Sequence, residues 1–507
     1  MKYIIPVTII LLLCSCVRQE PVRPNIVYIM TDDHGYQAVS AYGSGLNKTP
    51  NLDRIADEGI IFRNSFVCNS ICAPSRAALL TGKHSHANGH IDNRVRFDSS
   101  QVTFPKLLQQ AGYQTAIIGK WHLKSEPTGF DYWSILPGQG SYYNPDFIEM
   151  GRNYRQTGYA TTIITDKAIE WLQQRDTARP FCLLVHHKAP HRNWMPDTMD
   201  LDLYDGTVFP APANFFDTYE GRQAAALQEM GISKDMRMSY DLKITGADGD
   251  SLSQSEKDYI WYLDHRMTPE QRTAWLREYD SISRDFLAGR PEGDSLALYK
   301  LNRYLTDYLR TIASVDRNTG RLLDYLESAG LLENTLVVYT SDQGFYLGEH
   351  GWFDKRFMYE ESFRTPLMMR LPSSLSAHGD INEMVQNIDF APTFLELAGV
   401  TPPPEMQGVS LVPLLSGKKH GKWRDALYYH YYEYPAEHAV RRHYGVRTDR
   451  YKLIHFYNDI DTWELYDLVA DPHEMNNLID DPSYDKVERH LRKRLEALRK
   501  EYNVTEE

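Results

Sequence analysis

The stretch NSICAPSRAALLTGKHSH, residues 69–86, places Cys72 two residues before Pro74 and four before Arg76. No second cysteine follows within two to four residues, so neither a zinc pair nor a tight disulfide is encoded there. Three roles fit a cysteine so placed: a thiol nucleophile, a buried small residue, or a chemically altered side chain. Pro74 and the Ala/Leu run after it predict a helix beginning near Cys72. The free N–H groups and dipole at such a helix mouth favour negative charge, and Arg76, one turn in, adds a fixed cation. A thiol nucleophile would need a neighbouring base and an acyl-like substrate. The other polar groups are of a different kind: Asp32-Asp33, Lys120 and His122, His191, and Asp342-Gln343. Carboxylates with lysine and histidine make a metal-and-oxyanion constellation, not a Cys-His protease.

Those residues need elements to hold them. Four short apolar runs, at 23–30, 114–119, 181–186 and 335–340, end just before them. Near-continuous apolar runs predict strands buried on both faces of a parallel sheet. Ligands bind at the carboxyl ends of such strands, so four distant segments should deliver these side chains to one edge. Between them, 307–330 shows apolar residues at three- and four-residue intervals, as a helix requires. From about Met195 to Ala297 the pattern breaks, and the stretch reads as an insertion on the sheet domain that either walls the site or decorates it. A Pro/Gly-rich segment at 399–423 predicts a boundary. Beyond it, 444–456 reads as a hairpin turning near Asp449. A last helix aligns Val487, Leu491, Leu495, Leu498 and Tyr502. The expected organisation is a catalytic α/β domain over 17–410, carrying the 195–297 insertion, and a C-terminal α+β subdomain over 411–507.

Bulk properties narrow the function. The net charge of −13 gives no excess of Lys and Arg for nucleic acid. The start, MKYIIPVTIILLLCSC, has a basic residue, an apolar run of about 11 residues and small residues after it, as an export signal does. That run is shorter than the roughly 20 residues needed to span a bilayer. Leu13-Cys14-Ser15-Cys16 looks like a bacterial lipobox, which implies cleavage before Cys16 and lipidation of its thiol, with residues 1–16 as the signal peptide. Only Cys68, Cys72 and Cys182 remain beyond it, so no disulfide framework is expected. Cys68 and Cys182 read as buried small residues, and His186 and His187 as packing residues. His84, His86 and His90 could do no more than orient the motif.

Cys72-x-Pro74-Ser75-Arg76 followed by Thr81-Gly82 resembles the signature of the formylglycine-dependent type I sulfatases. The resemblance extends to Asp32-Asp33, GKWH at 119–122, PH at 190–191, SDQG at 341–344, Lys355, and LYDLVADPHEMNNL at 465–478. It implies an alkaline phosphatase-like α/β fold: a central, mostly parallel sheet flanked by helices, with a smaller C-terminal subdomain carrying an antiparallel sheet. It implies that Cys72 is oxidised to formylglycine (3-oxoalanine) by a separate maturation enzyme, and that its hydrate attacks sulfur. Asp32, Asp33, Asp342 and Gln343, with the modified Cys72, would then hold one divalent cation. All-oxygen ligation with three carboxylates suits Ca²⁺. Gln343 departs from the Asn commonest there, but its amide oxygen still coordinates. By the same resemblance Arg76, Lys120 and Lys355 hold sulfate, His122 helps collapse the hydrate, and His191 protonates the leaving alcohol.

The segment 348–367 resembles carbohydrate sulfatases acting on the 6-O-sulfate of N-acetylglucosamine in glycosaminoglycans such as heparan sulfate. Asp354 and Arg356, flanking Lys355, would hydrogen-bond ring hydroxyls or simply pair with each other, and His443 would complete the sugar subsite. The partners implied are a sulfated carbohydrate and the maturation enzyme, with membrane contact only through the lipid anchor, in the periplasm or on the outer membrane. A sulfatase of another specificity (uronate 2-O-sulfate, aryl or choline sulfate) is the leading rival. A phosphatase or phosphonate hydrolase on the same scaffold would favour Thr or Ser at position 72 or a second metal. A non-catalytic glycan-binding lipoprotein would have lost part of the core set, and all of it is present.

Overall fold

The computed structural model describes residues 23–247, 252–418 and 421–505. The signal-peptide and Cys16 expectations therefore lie outside the described residues.

Ten strands form one sheet, in the order Gly379–Ile381, Ile60–Phe62, Leu367–Arg370, Thr335–Ser341, Asn25–Thr31, Phe181–His186, Gln114–Lys120, Tyr132–Leu136, Asp146–Glu149 and Arg152–Arg155. The five strands from Thr335–Ser341 to Tyr132–Leu136 run parallel. Leu367–Arg370 on one side, and the last two strands on the other, are antiparallel, so the sheet as a whole is mixed. The four apolar runs are adjacent strands, and their carboxyl ends lie side by side.

Both faces of the sheet are covered, which is why the middle of each of these strands is continuously apolar. Along Asn25–Thr31, Val27 and Ile29 pack with Ile55, Ile164, Leu172 and Leu322 on one face. Ile26, Tyr28 and Met30 pack with Ala77, Leu80, Leu108 and Phe394 on the other. This is the two-residue alternation of a pleated strand. At about 1.5–3 kcal/mol for each fully buried large apolar side chain, these two layers dominate the stability of the domain. The helix expected over 307–330 begins earlier, at Gly293, and runs for 36 residues to Ser328. A third core joins the insertion (Ile232, Met236), the segment after Gln343 (Phe345, Trp352, Phe357) and the C-terminal sheet (Tyr429, Phe456).

That second sheet is fully antiparallel, over Ala426–Tyr431, His443–Thr448, Tyr451–Phe456 and Thr462–Asp467. The hairpin turns at 449–450. The helix Asp485–Glu501 covers the sheet through Leu491, Leu495 and Leu498, with Val487 and Tyr502 at the margin. Among the described residues no helix is long and apolar enough to cross a membrane.

Candidate active site

The strand ends build the site. Asn25–Thr31 runs into Asp32 and Asp33, and Thr335–Ser341 into Asp342 and Gln343. Parallel pairing sets Thr31 beside Ser341, so the two acidic pairs meet. The Asp33 N–H donates to Asp342 Oδ1 at 3.2 Å, and the Asp342 N–H to Thr31 O at 3.1 Å. One oxygen from each of Asp32, Asp33 and Asp342 lies within 4.8 Å of the others. Gly344 lets this turn close: a Cβ there would stand 2.1 Å from Glu361 O. Gly119, at φ +106°, does the same before Lys120, where a Cβ would meet His186 O at 2.0 Å.

Three fully buried carboxylates this close need positive partners. Lys355 Nζ lies 2.6 and 2.7 Å from the two oxygens of Asp33. Lys120 Nζ donates to Asp32, and also to Gln139 Oε1. Arg76 donates from Nε and Nη2 to Asp342 at 3.0 and 2.8 Å. Burial raises Asp33 to about 7, with Lys355 opposing and Asp32 adding to the rise. Burial and the neighbouring Asp32 raise Asp342 to about 6, with Arg76 opposing. Burial acts the same way on Asp32, but Lys120, His191 and Arg76 together hold it well below the carboxylate range.

Gln343 Nε2 donates to Asp33, while its buried Oε1 has no hydrogen-bond partner among the described residues. Three carboxylates and one orphaned amide oxygen are a donor set for a hard divalent cation. The residues present fit such an ion.

Cys72 is the first residue of the helix Cys72–Thr81, all ten of whose residues are buried. Its Sγ lies 3.3 Å from Asp32 Oδ1, and it groups with Asp32 and His191. Burial, then Asp32, pushes its thiol well above the usual range, so an unmodified Cys72 is a poor thiolate nucleophile. His191 Nδ1 donates to Arg192 O at 2.6 Å, leaving Nε2 3.8 Å from Asp33 Oδ2. Burial lowers the His191 pKa well below the ordinary imidazole value, with Asp32 opposing.

A cavity of about 370 Å³ opens above Cys72, lined by His191 and Lys355 and, further out, by Asp354, Arg356, Glu433 and His438. Asp354 (φ +76°) and Arg356 (φ +97°) both occupy the left-handed region, rare for side chains of their size, so the packing around them dictates the turn. Arg356 Nε lies 3.2 Å from Asp354 and its Nη1 2.9 Å from Glu433. His438 Nδ1 donates to Glu229 O at 2.7 Å, and its Nε2 stands 3.3 Å from Asp354. Arg192 adds a two-pronged bond to Asp241 of the insertion, at 2.7 and 2.8 Å. The insertion therefore walls the site, supplying Arg237 and Tyr240 to the cavity. A larger cavity, about 470 Å³, lies at the opposite strand ends near Asn25, Pro180 and Asn334, and no carboxylate or nucleophile lines it.

Four sequence expectations need correcting. Lys120 is 0% exposed, held by Asp32 and Gln139, and does not line the cavity. His443 does not face the cavity. It is 0% exposed, its Nδ1 donates to Arg441 O at 2.7 Å, and its Nε2 accepts from the Met358 N–H at 3.1 Å. His438 lines the cavity instead. Arg76 does not line the cavity either: its guanidinium lies behind the carboxylates, bonded to Asp342 and to Lys120 O, with His186 beside it. His122 (φ +61°), whose buried Nδ1 has no partner among the described residues, borders an adjoining cavity with Trp121 and Trp133 instead of the one above Cys72. Glu433, His438, Gln139 and Tyr240 escaped the sequence reading, because nothing local distinguishes them.

The Sulfatase family model matches residues 24–400, and the model of the N-sulphoglucosamine sulphohydrolase C-terminal region matches 348–501. The chain is 53% identical over 499 residues to an N-acetylglucosamine-6-O-sulfatase of Bacteroides thetaiotaomicron, covering 97% of this chain and 89% of that protein. It is 26% identical to the human N-acetylglucosamine-6-sulfatase, over 81% of this chain and 67% of the relative. A solved structure, described as a complex with its substrate D-glucosamine-2-N,6-O-disulfate, superposes with a TM-score of 0.91 at 53% identity, covering 95% and 98% of the two chains. The phosphonate monoester hydrolase of Agrobacterium radiobacter shares the fold at 21% identity and a TM-score of 0.69, over 95% and 96%.

Proposed function

This chain belongs to the sulfatase family, and on that premise we propose that it hydrolyses the 6-O-sulfate of N-acetylglucosamine in heparan sulfate or a related glycosaminoglycan. The observation that carries this reading is the single cavity with two chemically different ends. Cys72, Lys355 and His191 form a sulfate end, and Asp354, Arg356 and His438 a sugar end. The 53% identity to a protein bearing that activity in its name supports the substrate.

In this reading Cys72 would carry the formylglycine, and that group would supply the hydroxyls for attack on sulfur and for release of sulfate. A divalent cation, Ca²⁺ by its hard oxygen donors, would be held by Asp32, Asp33, Asp342 and Gln343, and supplies positive charge to the sulfate oxygens and the nucleophile. Lys355 faces the cavity and neutralises the sulfate, with Lys120 behind it. Asp342 takes the nucleophile's proton. His191, oriented by its bond to Arg192 O, delivers a proton from Nε2 to the alcohol oxygen as the S–O bond breaks. The incoming sulfate's negative charge favours the protonated ring that burial alone disfavours. Asp354, Arg356 and His438 bond the ring hydroxyls. The net change consumes one water and yields the alcohol, sulfate and a proton.

The lipobox-like Leu13-Cys14-Ser15-Cys16 supports a lipoprotein of the periplasm or outer membrane. Release of inorganic sulfate from a panel of defined sulfated monosaccharides tests the substrate. Turnover of a 2-O-sulfated uronate or an aryl sulfate, with none of 6-sulfated N-acetylglucosamine, would overturn it. Mass spectrometry of the peptide spanning Cys72 tests the modification.

A further inference from the structure

The cavity forks at His191. A second branch of about 290 Å³ shares Gln139, His191, Arg192 and Tyr240 with the first and is bounded by Lys188, Tyr142 and Tyr262. Lys188 is 5% exposed. Among the described residues its Nζ makes no hydrogen bond or ion pair, although every other lysine at this edge is engaged: Lys120 by Asp32, and Lys355 by Asp33. Its closest compensation is the face of Tyr142, 4.7 Å from Nζ to the ring centroid.

A largely buried ammonium without a carboxylate partner is destabilised. The ring face offsets only part of that charge, and Lys188 lines the second branch, where an anion would reach it. The neighbouring charges explain why no protein acid fills the role. Asp32 and Asp33 are within electrostatic reach but already engaged, and Lys120 repels. Burial and that repulsion lower the Lys188 pKa to about 7, which an incoming anion would reverse. The opposite wall is aromatic, with Tyr240 from the insertion and Tyr262 from its helix Gln254–Arg266. At the rim Asp258 is tied to Gln254 at 2.8 Å.

We propose that this second branch binds a second negatively charged group of the sulfated saccharide, with Lys188 as its counter-charge and the tyrosines as its sugar-facing wall. The inference rests on the saccharide-sulfatase reading above. Two sources share the chemistry: a second sulfate on the same ring, or the carboxylate of a neighbouring uronate.

The test compares wild type, Lys188→Met and Lys188→Arg on three substrates. These are N-acetylglucosamine 6-O-sulfate, glucosamine 2-N,6-O-disulfate, and a disaccharide of 6-sulfated N-acetylglucosamine and a uronate. Lys188→Met should raise KM for one of the doubly charged substrates about tenfold relative to its effect on the first, with kcat changed far less, and Lys188→Arg should recover most of the difference. The substrate that responds identifies the source. Equal KM changes on all three, or none, would overturn the proposal. Should Lys188→Met fail to fold, Lys188→Gln carries the same comparison. If wild type cleaves none of the three, the parent reading fails and this inference falls with it. If wild type cleaves them but the KM ratio stays fixed, only this inference fails.

Discussion

Arg76 and Asp342 are joined by two hydrogen bonds to one oxygen: Nε–H and Nη2–H of the arginine both donate to Asp342 Oδ2, at 3.0 and 2.8 Å. Both side chains are at most 2% exposed. Removing one partner of a buried pair strands the other charge, at a cost of about 3–5 kcal/mol. Arg76→Ala should therefore lower the unfolding free energy by that amount and also displace Asp342. Arg76→Lys, which lacks the two-pronged geometry, should recover part of the stability but little of the activity. Chemical denaturation beside a sulfate-release assay measures both. Full activity in Arg76→Lys would mean that this geometry is dispensable.

Metal loading should appear in stability as well as rate. A ligand at a hundred times its Kd adds about 2.7 kcal/mol. Chelator-treated protein should melt lower and recover with added Ca²⁺, and the shift should shrink in Gln343→Ala, whose orphaned Oε1 is gone. A melting temperature indifferent to chelator and cation would remove the metal assignment.

The two tail histidines should behave differently. His438→Ala removes a side chain at the sugar end and should reduce kcat/KM by about 10–100-fold, a loss of about 1.4–2.7 kcal/mol. His443→Ala removes a buried ring that bonds Met358 and Arg441, and should reduce stability first. If His443→Ala alters KM in a fully folded protein and His438→Ala does not, the exchange of roles argued above is mistaken.

Glu464 supplies a pH dependence away from the chemistry. Burial raises its pKa from 4.5 to about 7, despite bonds from the Tyr359 and Tyr466 hydroxyls. Below pH 4.5 it is protonated in both folded and unfolded chains. As pH rises toward 7 the unfolded chain releases its proton first, so stability falls across this window and the full penalty remains above it. Glu464→Gln should stabilise by about 3 kcal/mol at pH 8 and by almost nothing at pH 4. Parallel melting curves at the two values would show it, and an equal shift at both would refute it.

Cys72→Ala should abolish sulfate release while leaving the fold intact, since a small side chain at the start of the helix Cys72–Thr81 is replaced by a smaller one. Residual turnover at the wild-type rate would remove Cys72 from the chemistry.

The sequence made the strand-end chemistry legible because two signals coincided. Continuous apolar runs marked fully covered strands, and each ended in groups such as Asp32-Asp33 or Asp342-Gln343. The sugar end was harder to see. Arg356 meets Glu433 across 77 residues, and no periodicity records such a contact. His443 misled because a histidine in an aromatic strand reads alike whether it faces in or out. Only its pairing with Tyr431 and Phe456 turns the ring into the core. Arg76 is where sequence proximity to Cys72 and proximity to the substrate part company: one helical turn carries its guanidinium behind the carboxylates.

Lys452, in the second strand of the hairpin, lies 2.9 Å from Glu360 and 2.7 Å from Glu474, and donates to Met358 O at 2.7 Å, just beyond the turn that carries Asp354 and Arg356. With His443 on the Met358 N–H, both backbone polar groups of Met358 are gripped from the C-terminal sheet. On the proposed reading of the cavity, the tail therefore shapes the turn that carries Asp354 and Arg356, and a protein shortened before it would lose that shape. Chimaeras between relatives should inherit their preference only when the turn and the sheet travel together.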